Sequence, residues 1–394
     1  MATALITGDL AFLQKVTIET VTHLEQLEAL RADYDRLCRV TGNRLPFALF
    51  DWHITWCRHF LNWDPRIRDE PLFYVLRNPE GACVAIFPFI MNHRRLGPLK
   101  IVSVDTLGAD PAISEIRTPL VESGYEHLAA RAVRAALDRV PHWDWVHWAH
   151  VNGPLAEALS AGATLHWQPP LPHFVLDLPG SWEEFRSGLK RNIRESLRHC
   201  YNSLKRDGMA FELEVIKEPA AVHRALERFL ELHRLRANCP YGARHPDRFA
   251  SKASEHFLYE ICERLAAADA VRIFALKIER QVVAMRVAFV VEDSLYLYYS
   301  GFDPRWWRYS VMTTTVVEAI KYAIAHGFKT VDLSAGKDLP KTRWGPRQID
   351  VVSGYEPRPR LRSRLANSAY LKARTESGYP RKFLRRLIAS RRWN

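Results

Sequence analysis

The chain lacks several features that would assign its class at once. Hydrophobic residues make up 47% of its 394 positions, yet no window approaches the roughly 18 to 20 unbroken apolar residues of a membrane span. The six cysteines, at positions 38, 57, 83, 200, 239 and 262, include no C-x-x-C pair. Neither a disulfide framework nor a zinc site is therefore expected. His147 and His150 resemble a metal pair in spacing, but on a strand an odd separation sends them to opposite faces, so no metal is expected there. A G-x-S-x-G elbow, a G-x-x-x-x-G-K-[ST] loop and a G-x-G-x-x-G fingerprint are all missing, which removes the common hydrolase, nucleoside-triphosphatase and dinucleotide classes. The opening MATALITGDLAFLQKV has no basic start and carries Asp9 inside its apolar run, so a cytoplasmic location is expected.

What is present is a chain long enough for two domains at about 100 to 200 residues each, with a net charge of +12 that is unevenly placed. Residues 358–394 hold twelve Lys or Arg against Glu376 alone, while the remainder is close to neutral. Arg358, Arg360, Arg362 and Arg364 alternate with Pro, Leu and Ser, and Pro357 and Pro359 argue against a compact helix there. Residues 379–393 place Phe383, Leu384, Leu387 and Ile388 among six basic residues, the pattern of a short basic amphipathic helix. Such a tail suits an anionic membrane surface, at the inner face of which the protein would be peripheral, a nucleic acid or an acidic partner protein. A solvated tail packing on its own domain explains it as well.

Periodicity gives each half the same plan of helices, a strand meander, then helix and strand. In the first half a strand at 16–20, a single helix at 23–40 and a helix at 51–61 precede strands at 72–76, 83–89 and 99–104. A helix at 125–140, a buried strand at 143–150, a short helix at 153–161 and a strand at 173–178 complete it. The second half starts with a helical stretch at 181–206. A strand at 211–216 and helices at 220–236 and 247–267 lead to strands at 271–278, 282–291 and 295–300. The expected class is α/β (α+β), with domains at 1–179 and 180–356 and a tail at 357–394.

Residues 293–347 carry the most information: a strand, a cationic aromatic turn at 304–309, a helix at 313–325, then a strand at 330–334. That order aims a helix N-terminus at whatever lies above the strand, and unpaired N–H groups with the positive dipole end favour an anion, a pyrophosphate above all. A plain crossover in a core is the alternative. Following it come Gly327, Phe328, Asp332 and Leu333, then Gly336, Asp338, Lys341, Arg343 and Trp344. These fit the patterns G-[FY]-x-x-x-D-[FL] and G-x-[DE]-x-x-K-x-[RK]-W.

On these motifs, and on the helices at 181–208 and 229–237, the chain resembles the CelD/BcsL group of the GNAT acyltransferase superfamily. The resemblance covers about half the chain well and implies two tandem GNAT-like domains, each a mixed, mostly antiparallel sheet flanked by helices. It implies that acetyl-CoA or another acyl-CoA lies in a splayed strand pair of the second domain. Its pantetheine arm would run along Tyr299, Ser300 and Gly301, and its pyrophosphate in the turn at Arg308, Tyr309, Ser310, Val311, Met312 and Thr313. The turn departs from the family in having no glycine where backbone N–H groups approach the phosphate. Arg305 and Arg308 are expected to compensate.

Transfer from a thioester to an amine needs a base, an oxyanion donor and an acid, but no covalent nucleophile. Asp332, a carboxylate ending an apolar strand, is a candidate base or else a cap of the following loop. Tyr298 or Tyr299 can donate to the leaving thiolate, and strand alternation allows only one of them to face the site. Lys341 and Arg343 can hold an anionic substrate or phosphate, and His233 and Arg236, which share a helix face, can bind substrate. The resemblance implies an amino sugar or similar precursor of exopolysaccharide or envelope as acceptor. Two rivals stay open. One is a Fem-type aminoacyl transferase drawing on aminoacyl-tRNA, which the basic tail and glycine-free turn favour. The other is a non-catalytic GNAT scaffold of a membrane-associated synthesis complex.

Overall fold

A computed structural model describes residues 16–63, 67–96, 99–108, 113–162, 164–239 and 245–375. The amphipathic segment expected at 379–393 and the first fifteen residues lie outside these. The chain forms two compact units, the first comprising residues 1–43, 47–171 and 350–394, the second residues 44–46 and 172–349.

In the first unit, β1 (Thr17–Val21), β2 (Ile67–Arg77), β3 (Cys83–Leu96) and β4 (Leu99–Thr106) form an antiparallel meander. Short β5 (Leu120–Val121) pairs with β3, and β6 (Trp145–Val151) runs parallel to β4. The strand Arg347–Pro357 then pairs antiparallel with β6 and with β7 (His166–Trp167) from Val352 onward. The expected boundaries at 179 and 356 thus differ from the units as packed, because backbone pairing carries residues 350–357 to the first unit's sheet. Helices α1 (Leu24–Glu28) and α2 (Arg31–Val40) replace the single helix expected at 23–40. The break at Ala29 and Leu30 lets Leu27, Leu30, Tyr34 and Leu37 all reach the core. Helix α3 (Phe50–Phe60) is buried on most of its faces, with Trp52 and Trp56 fully enclosed. Helix α4 (Glu126–Arg139) packs Ala129, Ala130, Val133 and Leu137 against the sheet, and α5 (Gly153–Ser160) is capped by the Asn152 side chain.

The arginine-rich segment after Pro357 corrects an expectation. Residues Leu361–Thr375 are helical, because both prolines precede the helix, where a fixed φ and a missing N–H do no harm. Ser363 donates to Asp144 Oδ1 at 3.0 Å, Arg358 bonds the Val140 carbonyl at 3.3 Å, and Tyr370 stacks on Trp145 with ring centroids 5.0 Å apart. This part of the basic tail is therefore packed on its own unit.

In the second unit, β8 (Leu171–Asp177) is followed by α6 (Trp182–Gly188), α7 (Arg191–Arg206) and β9 (Phe211–Ile216). Helices α8 (Pro219–Ala237) and α9 (Lys252–Ala267) lead to β10 (Val271–Ile278), β11 (Gln281–Val291) and β12 (Ser294–Phe302). A 3₁₀ segment (Pro304–Tyr309), α10 (Val311–Ala325), β13 (Thr330–Ala335) and short α11 (Leu339–Thr342) complete it. The sheet order is β8-β13-β12-β11-β10-β9, mostly antiparallel, with β12 and β13 parallel across the α10 crossover. Val317, Ile320 and Ala323 of α10 recur at helical spacing and bury against Phe274, Ala288, Leu295 and Val331. The helical stretch expected at 181–206 is two helices, broken at Leu189, whose side chain turns into the core.

Candidate active site

β12 and β13 stop pairing ahead of the site. Their parallel register runs only from Ser294↔Thr330 to Tyr296↔Asp332. Beyond it β12 continues along β11 with one irregularity, since Ala288 opposes Leu297 while Arg286 opposes Ser300. Two residues of β12 there face one of β11, the signature of a bulge. The bulge overturns the expectation that Tyr298 and Tyr299 diverge: their ring centroids stand 4.3 Å apart. Tyr298 packs on Phe289, and Tyr299 packs edge-on against His233 and Phe249.

At the far end of β12 lies a cavity of about 410 Å³, whose apolar lining is Phe302, Trp307, Val311, Met312, Val316 and Trp344. Its cationic lining comes from Arg236 of α8, Arg286 of β11 and Arg343 after α11, and His245, Ser310 and Thr313 line it too. The turn expected to receive phosphate therefore does face a cavity. It manages without glycine because Ser310 alone takes the left-handed conformation, φ 53° and ψ 37°, which costs about 1 to 2 kcal/mol for an L-residue. That single reversal starts α10. Thr313 and Thr314 return their N–H groups to the Ser310 carbonyl at 2.8 and 3.1 Å, and the N–H groups of Val311 and Met312 precede the first intrahelical acceptor.

Arg236 donates to the Ser300 hydroxyl at 2.6 Å and carbonyl at 3.2 Å, and to His245 Nε2 at 2.9 Å. Its Nε is buried without a hydrogen-bond partner among the described residues, and so is the Nε of Arg343. Arg343 otherwise donates to Ser196 at 2.8 Å and lies against the Trp344 ring. No carboxylate of the described residues pairs with either guanidinium. Burial brings Arg236 down to about 10, which still leaves it charged at neutral pH. Burial first, and then the Arg236 charge, lowers His245 to about 4, so its imidazole is neutral.

The remaining expected residues stand elsewhere. Asp332 is buried, accepting from the Ser334 N–H at 2.8 Å with His173 Nε2 at 3.7 Å, and does not line the cavity. Lys341 spends its ammonium on the carbonyls of Ala335 and Gly336 at 2.5 and 3.2 Å and on Asp338 at 3.2 Å, bracing the loop after β13. Arg305 folds back on Asp303 at 2.6 Å, and Arg308 bonds the Tyr309 hydroxyl near Asp207. Neither arginine lines the cavity; Arg286, Arg236 and Arg343 do. His233 is buried and neutral, its Nδ1–H donating to the Ser300 carbonyl at 3.0 Å and its Nε2 accepting from the Arg248 N–H at 3.2 Å. Gly301 has a packing role: a Cβ there would meet the His233 backbone nitrogen at 2.4 Å, so only glycine lets α8 lie this close to β12.

Sequence reasoning missed Arg286, His245 and the ring of Trp307. Arg286 did leave a signal, a lone cation inside the apolar run of β11. His245 left none. Among the described residues no group of three or more His, Cys, Asp or Glu is placed to hold a metal ion, and no helix is long and apolar enough to cross a membrane.

Residues 191–342 match the family model described as an acetyltransferase (GNAT) domain. That span holds every lining residue of the cavity except Arg343 and Trp344, and the match supports an acyltransferase. No curated protein matches the chain by sequence. Among solved structures, a conserved protein of unknown function from Bacteroides thetaiotaomicron is similar at 12% identity and a TM-score of 0.53, covering 87% of this chain and 100% of that one. FemX is similar at 10% identity and a TM-score of 0.53, covering 85% of this chain and 96% of its own. At these identities the likeness concerns the fold alone.

Proposed function

We propose that the second unit transfers an acyl group from a coenzyme A thioester to an amine. The observation that carries this reading is the divergence of β12 from β13 after Tyr296 and Asp332, beside a cavity that α10 closes with its N-terminal turn. In this reading the bulged segment of β12 positions the donor's arm, and the turn from Ser310 to Thr313 with its cationic neighbours takes the phosphates. The acceptor amine must lose a proton to react. Among the candidates, His245 lines the cavity and is neutral, whereas Asp332 is committed to Ser334 and His173. The Nε2 of His245 already accepts from Arg236 at 2.9 Å, so in this reading the ring stands at the phosphate end of the donor and steadies Arg236 there.

The motif from Gly327 to Trp344 supports a finer reading as an enzyme of the CelD/BcsL type, acting on an amino sugar or precursor of exopolysaccharide or envelope. Thermal unfolding with a panel of acyl-CoA thioesters, and separately with aminoacyl-tRNA, tests the donor. Ligand at a hundred times its Kd stabilises by about 2.7 kcal/mol, a midpoint shift of roughly 5 to 10 °C for a domain of this size. The expected result is a shift with a thioester. Stabilisation by aminoacyl-tRNA alone would replace this reading with a Fem-type transferase, which the cationic wall also accommodates.

A further inference from the structure

We infer that Arg236 and Arg343 form a side-chain clamp for a phosphate-type oxyanion carried on an apolar arm, doing here the work that glycine N–H groups do in a backbone cradle. The inference rests on the acyl-transfer reading for the identity of the arm, but the clamp itself stands on the cavity. Two guanidinium groups from separate elements, α8 and the segment after α11, reach the same 410 Å³ space. Neither makes an ion pair with a carboxylate of the described residues, Asp338 acting on Arg236 only from a distance, and each keeps a buried Nε without an acceptor. Buried charge and buried N–H groups left unpaired are unfavourable, and a multivalent oxyanion relieves both conditions at once. A planar guanidinium fork matches phosphate oxygens in pairs.

The turn explains why side chains are needed. Val311 and Met312 carry Cβ atoms where a close backbone approach asks for glycine, so the anion must be held farther from the helix start, within reach of long side chains. Phe302, Trp307 and Trp344, which line the same cavity, then give the rest of the ligand an apolar surface. The consequence is selectivity: a thioester on a phosphorylated arm is bound, and the same acyl group on unphosphorylated pantetheine binds far more weakly.

The test is calorimetric titration of the full chain with inorganic pyrophosphate, acetyl-CoA and acetylpantetheine. Arg343→Gln and Arg236→Lys are the variants, with Arg191→Gln, an exposed partner of Glu195, as control. Arg236→Lys keeps the charge and is chosen because Arg236 also braces Ser300; Arg343→Gln loses its bond to Ser196 and its cation–π contact with Trp344. The expected result is a loss of at least tenfold in pyrophosphate and acetyl-CoA affinity in both variants, with acetylpantetheine and the control unchanged. If pyrophosphate affinity falls while acetyl-CoA affinity does not, the clamp holds and the phosphate belongs to the acceptor. If the wild type binds pyrophosphate but no thioester, the clamp stands and the acyl-CoA reading fails. Pyrophosphate binding equal to wild type in both variants, or absent from wild type, overturns the clamp.

Discussion

Each unit contains a parallel strand pair joined by a helical crossover, and the two pairs come apart differently. In the first unit β4 and β6 are paired from Ser103↔Trp145 to Asp105↔His147; in the second, β12 and β13 are paired from Ser294↔Thr330 to Tyr296↔Asp332. Both registers last three positions. Past the first, Thr106 ties the strands together, its hydroxyl donating to the His147 carbonyl at 3.3 Å and accepting from the Ala149 N–H at 3.2 Å. Beside it Asp105 takes bonds from Ser103 at 2.9 Å and Asn92 at 3.3 Å, with His147 Nδ1 at 3.2 Å, all of them buried. Past the second pair, β12 bulges and the wall becomes three arginines. The first opening is thus filled by buried polar side chains, while past the second the chain runs on to a cavity at the far end of β12. What decides is whether a short hydroxyl side chain satisfies the diverging backbones or a bulge carries one of them away.

Glycine sharpens the contrast most. Gly301→Ala puts a Cβ against α8 backbone, which cannot move without displacing the helix, whereas at Gly354 in the first unit the obstacle is the edge of the Trp167 ring at 2.8 Å and Leu165 at 3.1 Å. Overpacking against backbone is expected to cost about 3 kcal/mol or more, and against side chains about 1 to 2 kcal/mol. Urea unfolding of the two variants measures the difference. Equal losses would mean that α8 is not seated on β12 as closely as this packing requires.

Acid separates the units next. His53 in the first is fully buried, accepts from the Tyr34 hydroxyl through Nδ1 at 2.9 Å, and is lowered by burial to about 3. The exposed His245 of the second unit is lowered to about 4. Because the folded-state values lie below the unfolded value of about 6.5, the unfolded chain binds more protons between them. Stability is therefore full above pH 6.5 and falls as pH drops toward 3 for His53 and 4 for His245. The slope is at most about 1.4 kcal/mol per pH unit for the buried group and smaller for the more exposed one. His53→Leu should flatten the curve of stability against pH below 6.5 more than His245→Asn does. The reverse order, measured by denaturant midpoints from pH 7 to 5, would place the acid-sensitive group in the second unit.

Much of this contrast was legible from periodicity, and the reasons for the rest are local. Strands 211–216 and 271–278 were read to the residue, because alternation and turn residues agree there. The helix beginning at Val311 was read two residues late, since its first turn carries no cap and depends on Ser310 entering a left-handed conformation that composition does not announce. Residues 347–357 were not read as a strand at all: their burial is irregular, and their pairing is with distant β6. In the site, Arg236 and Arg343 were named from spacing and motif, and both reach the cavity. Arg305 was named from its place in the turn, but Asp303 two residues earlier captures it, a local competition that a charge pattern alone does not rank.

The smallest expected effect probes the first unit's closure directly. Thr106→Val keeps the side chain's shape and removes the hydroxyl, leaving the Ala149 N–H buried without its acceptor and the His147 carbonyl without that donor. A buried donor stripped of its partner costs about 1 to 3 kcal/mol. Water entering the gap reduces this, so a loss near 1 kcal/mol is expected, seen as a small fall in denaturant midpoint at constant m-value. Acyl transfer by the second unit should not change. If Thr106→Val leaves stability untouched while lowering turnover, the opening between β4 and β6 is not a closed counterpart of the one between β12 and β13 but takes part in the reaction.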